Sequence, residues 1–250
     1  MMGDFGTRGE DQHKVAAAMV EYHHEKPFDF GITLGDNFYF KLQSPDDPGF
    51  KVAFEDLYGP MNITFYPVFG NHDWGGDVPA IEMMYSFKNP HWYFPAPYYT
   101  YTAGPVQFFA INTGLFDEPS AKQLRWLQTE LDASHARWKV VYGHYPVFSN
   151  NYGPDRQMYN KLMPVLAYRA DVYMAGHIHD LQQLRPASGV NFFIIGASGR
   201  GEIPVNASDP GTLFAKEAYG FGVLEADDHT LTIRILGEDG KELHAATFHK

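Results

Sequence analysis

The sequence predicts an α/β fold, and three observations carry that prediction. Helix-like and strand-like stretches alternate in the first third of the chain, and both kinds continue to residue 175. The strands are short and apolar, and each ends in a glycine followed by a polar residue able to hold a metal ion. The composition, 44% hydrophobic and 20% charged, is that of an ordinary globular chain, without internal repeats or low-complexity tracts. With 250 residues, a single domain over 1–250 is expected, large enough to bury a sizeable core.

The elements follow in order. Residues 12–26 (QHKVAAAMVEYHHEK) read as a helix, with Val15, Met19 and Tyr22 on the apolar side. Residues 28–34 (FDFGITL) read as a strand running into GDNFYF, and 64–69 (TFYPVF) as a strand running into GNHDWGG. A helix at 119–132 carries Leu124, Leu127 and Leu131 on one face. The strand at 138–142 (WKVVY) precedes GHYP. A helix begins at Arg156 and reaches 168, with Pro164 kinking or ending it. The strand at 171–175 (DVYMA) precedes GHIHDLQ. Further strands are expected near 191–196, 219–225, 230–236 and 243–248, with a turn at 237–241. The most apolar run, 190–197, should be a buried strand, and the aromatic-rich run 89–101 a packed loop and edge strand.

Several function classes are disfavoured. A net charge of −11 argues against nucleic acid or an anionic membrane as partner, although a bound metal can invert the field locally. No apolar run approaches the ~20 residues of a membrane span. The absence of cysteine excludes disulfides and thiolate-bound metals, but leaves the compartment open. No G-x-S-x-G elbow supports a serine hydrolase.

In open α/β sheets, ligands bind at the carboxyl ends of strands. Asp36, Asn71, His144, His177 and His179 should therefore converge on one edge, and Asp4 has the same local form. Each alone has an ordinary explanation, an Asx turn or a structural imidazole. Together, oxygen and imidazole donors without sulfur suit Zn, Fe, Mn or Mg. Two metals ~3.5–4 Å apart are the usual device for phosphoester hydrolysis, and Asp36 is the natural bridge. If Asp4, Asp36 and Tyr39 are ionised, a trivalent and a divalent ion leave the site with about two positive charges. That is enough to hold an anionic phosphate.

In that order, GDFG, GDNFY, GNHD, VYGH and GHIH resemble the five motifs of the metallophosphoesterases. Within that superfamily the chain resembles the purple acid phosphatases of the small, tartrate-resistant type. The first motif reads Asp4-Phe5-Gly6 where the superfamily has Asp-x-His, and Tyr39 stands in the GDNFY pattern peculiar to purple acid phosphatases. The resemblance runs from residue 3 to the C-terminus. It implies a four-layer α/β/β/α sandwich of two mixed β-sheets flanked by helices. Only Met1 and Met2 precede the first motif, where a strand of ~5–6 residues is expected, so the first strand is expected to be truncated.

The resemblance also implies a ligand set. Fe(III) would take Asp4, Tyr39 and His179, and a divalent Fe, Zn or Mn would take Asn71, His144 and His177, with Asp36 bridging. His72 and Asn71 would contact the substrate phosphate, and His72 would help to protonate the leaving group. Asp73, Asp180 and Gln182 would orient ligands. The implied activity is hydrolysis of phosphate monoesters at acidic pH by direct attack of a metal-bound hydroxide. The partner is a small phosphorylated substrate, with no nucleic acid, no membrane and a monomeric state expected. The family suggests a secreted, periplasmic or lysosomal-like compartment, and the sequence shows no signal peptide. A phosphodiesterase or nucleotide pyrophosphatase on the same scaffold is an alternative; so is a non-catalytic metal-binding module. Features of less weight are the GASGRG loop at 196–201, whose Arg200 could approach the site, and the glycosylation sequons at Asn62 and Asn206. Phe38, Phe40, Trp74, His91, Tyr145 and Tyr152 are expected around the pocket rim.

Overall fold

The computed structural model describes residues 1–74, 78–114, 119–201, 203–206 and 208–250. Gly75 and Gly76 of the GNHDWGG segment, and Ala207 of the second sequon, lie outside the described residues. The described elements are α1 Glu10–Glu25, β1 Phe30–Ile32, α2 Pro48–Phe50, a π turn Lys51–Glu55, α3 Asp56–Tyr58, a 3-10 turn Gly59–Met61, β2 Thr64–Tyr66 and α4 Val78–Tyr85. They continue with β3 Tyr99–Ala103, β4 Val106–Ala110, α5 Ala121–Ala133, β5 Trp138–Tyr142, β6 Phe148–Ser149, β7 Gly153–Pro154, α6 Arg156–Leu166 and β8 Val172–Ala175. The chain closes with β9 Leu181–Ala187, β10 Val190–Ile195, β11 Thr212–Lys216, β12 Gly220–Ala226, β13 Thr230–Gly237 and β14 Glu242–His249.

Two sheets form the centre. One is seven-stranded and mixed, in the order β11-β9-β10-β8-β5-β4-β3, with β4, β5, β8 and β10 parallel to their neighbours within that run. The other is stitched from two pieces, β1-β2 and β12-β13-β14. The stitch is the N-terminal dipeptide. Met2 N–H donates to Ile32 O (3.0 Å) and Leu34 N–H donates to Met2 O (2.9 Å). On the other side Gly222 N–H donates to Met1 O (2.9 Å), and the Met1 ammonium donates to Gly222 O (2.8 Å). The first strand thus contributes a single parallel bridge, Met2 to Thr33. Met2 is buried, and burial pushes the Met1 amino group down to about 5.

Strand alternation divides the core into layers. On the seven-stranded sheet, Phe108, Val140, Tyr142, Val172, Met174 and Phe193 pack in one cluster with Ile32, Phe65, Phe221, Val223 and Ile233 of the other sheet. Their sequence neighbours Phe109, Val141, Tyr173, Phe192 and Ile194 belong to a second cluster with Leu127 and Leu131 of α5 and Met158, Leu162 and Leu166 of α6. On the far side of the β1-containing sheet, α1 buries Val15, Ala16 and Met19. The layers are therefore helix, sheet, sheet and helix.

Local chemistry explains the helix bounds. In α1 the acids Glu10 and Asp11 open the helix and His23 and His24 close it, which complements its dipole. Ser120 caps α5 by accepting from Gln123 N–H, and Asp155 caps α6 by accepting from Met158 N–H (2.8 Å). Pro164 sits in the last turn of α6, which ends at Leu166. The helix continues two residues past it. The strand signal at 28–34 shortens to Phe30–Ile32.

Candidate metal centre

The loops that leave Met2, Leu34, Phe69, Tyr142 and Ala175 all arrive at one edge of the two sheets. They bring together residues far apart in sequence, and donor distances sort them into two groups. In the first, the Tyr39 hydroxyl lies 3.1 Å from Asp4 Oδ1, 3.0 Å from Asp36 Oδ2 and 3.4 Å from His179 Nε2. His179 Nε2 is itself 3.4 Å from Asp4 Oδ1. In the second, Asn71 Oδ1 lies 2.9 Å from His144 Nε2 and 3.0 Å from His177 Nδ1. Those two nitrogens are 3.3 Å apart, and His144 Nε2 is 3.4 Å from Asp36 Oδ1. Asp36 belongs to both groups, one carboxylate oxygen facing each.

This spacing fits metal ions. Two donors each ~2.0–2.1 Å from a common ion stand about 2.9–3.4 Å apart, from octahedral to tetrahedral angles. Among the described residues, Asp4, Asp36 and His144 also offer ligand atoms within 4.8 Å of one another. A phenol, two carboxylates and an imidazole form one set; a shared carboxylate, an amide oxygen and two imidazoles form the other. The first is the harder set.

The backbone is bent to make these sets. Asp4, Asp36 and His177 all adopt left-handed conformations, with φ of 57°, 49° and 67°. Non-glycine residues rarely do so, and each costs of order 1–3 kcal/mol that the surrounding structure must offset. Three of the seven non-glycine residues with positive φ among the described residues thus fall in this one site. Around them, carboxylate oxygens also serve as backbone acceptors. Asp4 Oδ2 accepts from His177 N–H (2.8 Å), and Asp36 Oδ1 accepts from His72 N–H (2.7 Å).

Supporting contacts aim the ligands. His144 Nδ1 lies 2.8 Å from Leu34 O, so Nδ1–H donates to that carbonyl and the Nε2 lone pair faces Asn71 and Asp36. Thr113 Oγ1 accepts the backbone N–H of both His144 (2.8 Å) and Tyr145 (2.9 Å). Asp73 accepts from the N–H groups of Gly70 (2.7 Å), Asn37 (2.8 Å) and Phe38 (3.1 Å), which ties the Asp36 and Asn71 loops together. Buried Glu82 stands behind them, accepting from Asn37 Nδ2 (3.0 Å). The motifs contain Asn37 but suggest no task for it, and Thr113 and Glu82 lie outside them.

Electrostatics of the bare side chains favour a cation. Burial, with Asp36 nearby, pushes the Asp4 carboxyl well up. Burial and then the charges of Asp4 and Asp36 push the Tyr39 phenol up as well. Burial lowers His177 to about 3 and also lowers His179, so both imidazoles are neutral, the form that binds metal. Two carboxylates and a phenol packed together resist ionisation; a cation between them reverses that preference.

Beside the donors lies a cleft of about 580 Å³ lined by Asp36, Asn71, His72, Tyr145, Tyr152, Arg156, His177 and His179, among others. His72 is exposed, and its ring stands 4.6 Å from that of Tyr39, centre to centre. Tyr145 packs against His177 at 4.0 Å, and Tyr152 is 70% exposed at the cleft wall.

Some rim expectations are corrected. Phe38 is buried in the core, edge-on to Phe5 and Phe50. Phe40 lies under the Arg8 guanidinium (3.6 Å), and Trp74 packs on Phe69. His91 belongs to the bridge between Phe65 and Trp92 and lines a different cavity. Asp180 and Gln182 bond to each other, and Gln182 also bonds to Asn150 N–H and Asn151. They steady the loop that carries Tyr152. Sequence reasoning missed Arg156 at the cleft, because its position at a helix start carries no motif.

Comparisons with known proteins give the family and the fold. The calcineurin-like phosphoesterase family matches residues 1–181. Tartrate-resistant acid phosphatase type 5 of Mus musculus is 35% identical over 198 residues, covering 68% of this chain and 60% of that protein. The Homo sapiens protein of the same name is 30% identical, covering 86% of this chain and 77% of its own length. Among solved structures, a Plasmodium protein described as GAP50, the anchor in the inner membrane complex, superposes with a TM-score of 0.88 at 20% identity, over 99% of this chain and 87% of its own. A purple acid phosphatase from yellow lupin seeds superposes with a TM-score of 0.79 at 16% identity, over 99% of this chain and 52% of its own. These two show the shared fold. The chain belongs to the calcineurin-like phosphoesterase family, in its purple acid phosphatase branch.

Proposed function

We propose that this chain hydrolyses phosphate monoesters at a dinuclear centre. Fe(III) would be held by Asp4, Asp36, Tyr39 and His179, and a divalent Fe, Zn or Mn by Asp36, Asn71, His144 and His177. The observation that carries the reading is the division of donors into two groups of four that share Asp36. Carboxylate and phenolate oxygens suit the trivalent ion, and the imidazole-rich set suits the divalent one. When bound, such a pair neutralises phosphate charge and makes water acidic enough to serve as nucleophile.

The chain's own residues do the rest. Asn71 turns its Oδ1 to the imidazoles, which leaves its amide N–H groups to donate to a phosphate oxygen. His72 lines the cleft and supplies a proton to the departing alkoxide oxygen. Tyr145 and Tyr152 form walls for the leaving group. Small phosphorylated molecules are the substrates that a cleft of this size admits.

Metal analysis combined with a pH–rate profile on p-nitrophenyl phosphate tests the reading. Iron plus a second metal near one each per chain, with activity greatest in acid, is the expected result. A dominant rate on the bis-ester would make the chain a diesterase. Protein that binds metals and phosphate without turnover would make it a binding module.

A further inference from the structure

Arg200 follows β10, outside the seven residues that surround the candidate ions. Its guanidinium carbon stands 4.9 Å from the centre of the Tyr39 ring, over the ring face. The side chain is exposed and enters no ion pair among the described residues, so its charge is not neutralised by a neighbouring carboxylate there. Its place is set by the backbone on both sides. Ser198 N–H donates to Gly3 O (3.1 Å), and Gly199 O accepts from Thr7 Oγ1 (3.1 Å), which fastens the loop to the segment carrying Asp4. A β-carbon on Gly199 would meet Phe5 O at 2.3 Å, so the two segments lie in direct contact. Past Arg200, Ile203 N–H donates to His179 O (2.9 Å), which fastens the loop to the segment carrying His179. The loop thus spans two ligand segments and lays one cation on the third ligand.

We infer that Arg200 tunes the Tyr39–iron bond. The inference rests on the reading above that Tyr39 binds Fe(III). A cation over an aromatic face stabilises electrons in that ring, and more so when the ring carries the charge of a phenolate. The guanidinium lies over the ring, and the donor oxygen lies at the ring's edge among Asp4, Asp36 and His179. The charge therefore acts more strongly on the phenolate than on the metal. Two consequences follow. Phenolate-to-iron charge transfer costs more energy than it would without Arg200, so the visible band lies at shorter wavelength. The phenolate also donates less to iron, and the added positive charge favours the ferrous state, so the Fe(III)/Fe(II) midpoint potential lies higher. Arg200 acts through Tyr39, as a positioning and tuning residue.

The test uses iron-loaded full-length protein, with the band read per iron bound. In Arg200→Gln the band should move to longer wavelength, and the midpoint potential should fall. Arg200→Lys keeps the charge and should leave the band near its original position. Tyr39→Phe should abolish the band. An unmoved band and potential in Arg200→Gln, with the band lost in Tyr39→Phe, would overturn the inference and leave the ligand reading standing. Equal shifts in Arg200→Gln and Arg200→Lys would also overturn it, since charge would then not be the cause. A band that persists in Tyr39→Phe would remove the ligand reading and this inference together.

Discussion

A β-carbon on Gly70 would lie 2.2 Å from Oδ1 of Asp36 and 2.1 Å from its backbone nitrogen. The loop after β2 therefore presses on the bridging carboxylate with nothing between them. Gly35 makes the same close approach from the other side, with φ of 85° and Gly70 N 2.7 Å from its own would-be β-carbon. Gly70→Ala should push the Asp36 and Asn71 loops apart. The expected cost is ~1–3 kcal/mol of stability from overpacking. Activity on p-nitrophenyl phosphate should fall ~100-fold or more, because small displacements at a reacting centre are expensive. A thermal melt and metal stoichiometry on the purified variant check this; wild-type metal content would contradict it.

Thr113 offers a quieter test. Its hydroxyl receives two backbone N–H groups, one of them that of His144. Thr113→Val keeps the shape and removes the acceptor. Two buried donors are then left unpaired, at ~1–3 kcal/mol each. Affinity for the divalent ion should weaken ~10–100-fold, the usual effect of losing a contact that orients a ligand. Metal titration of the variant against wild type measures this, and equal dissociation constants would show that the Leu34 carbonyl suffices to aim the imidazole.

Glu82 predicts a pH effect in metal-free protein. Burial and the charge of Asp73 push its carboxyl well above the ordinary 4.5. Asp73 accepts several N–H groups, whereas Glu82 Oε1 has no hydrogen-bond partner among the described residues, so of these two neighbouring carboxyls Glu82 is the one that keeps its proton. A folded-state value above the unfolded one means that the folded protein binds more protons once pH passes 4.5. Stability from this pair is then fully present below that pH and declines as pH rises. Glu82→Gln carries no proton to lose, so its melting temperature relative to wild type should rise between about pH 5 and pH 8. Glu82→Ala instead opens a cavity and should cost ~2–4 kcal/mol throughout. Parallel melting curves for Glu82→Gln and wild type would show that Glu82 is ionised.

His72 touches the site through its backbone N–H and presents its ring to the cleft. His72→Asn keeps the backbone contact and removes the proton donor. Metal content should remain at the wild-type level while kcat falls ~100-fold or more on alkyl phosphates, the usual worth of a positioned acid. The loss should be smaller on p-nitrophenyl phosphate, whose leaving group needs little protonation. An equal loss on both substrates would assign His72 to phosphate binding instead.

Much of the architecture is legible in the sequence, for identifiable reasons. Strands β5, β8 and β10 are apolar runs bounded by turn residues, and α5 and α6 carry both period and cap. Strand β9 escapes notice because Gln182 and Gln183 are buried in it as hydrogen-bonding residues, which breaks the apolar pattern. The helical turns from Pro48 to Tyr58 are too short for a period to show. Phe38 is expected at the rim because it flanks a motif in sequence, and His91 only as an imidazole in an aromatic-rich run. Burial and strand pairing, which depend on distant residues, put one in the core and the other at the Trp92 bridge.

For the site, the sequence by itself determined the cast: strand, glycine, polar residue, repeated in an order that leaves only oxygen and imidazole donors. It also determined the chemical class, since that donor set without sulfur suits a pair of hard or borderline cations. Only the tertiary structure decided which atoms face one another. His144 meets Asn71 through Nε2 and His177 through Nδ1; Asp36 divides its two oxygens between the groups; and Arg200 of the GASGRG loop lies over the Tyr39 ring. The reason is geometric. A lone pair has a direction, set by the backbone torsions of its own residue and by the hydrogen bond at the far side of its ring. Here those are the left-handed φ values of Asp4, Asp36 and His177 and the Leu34 carbonyl behind His144, and they exist only once the sheets have closed.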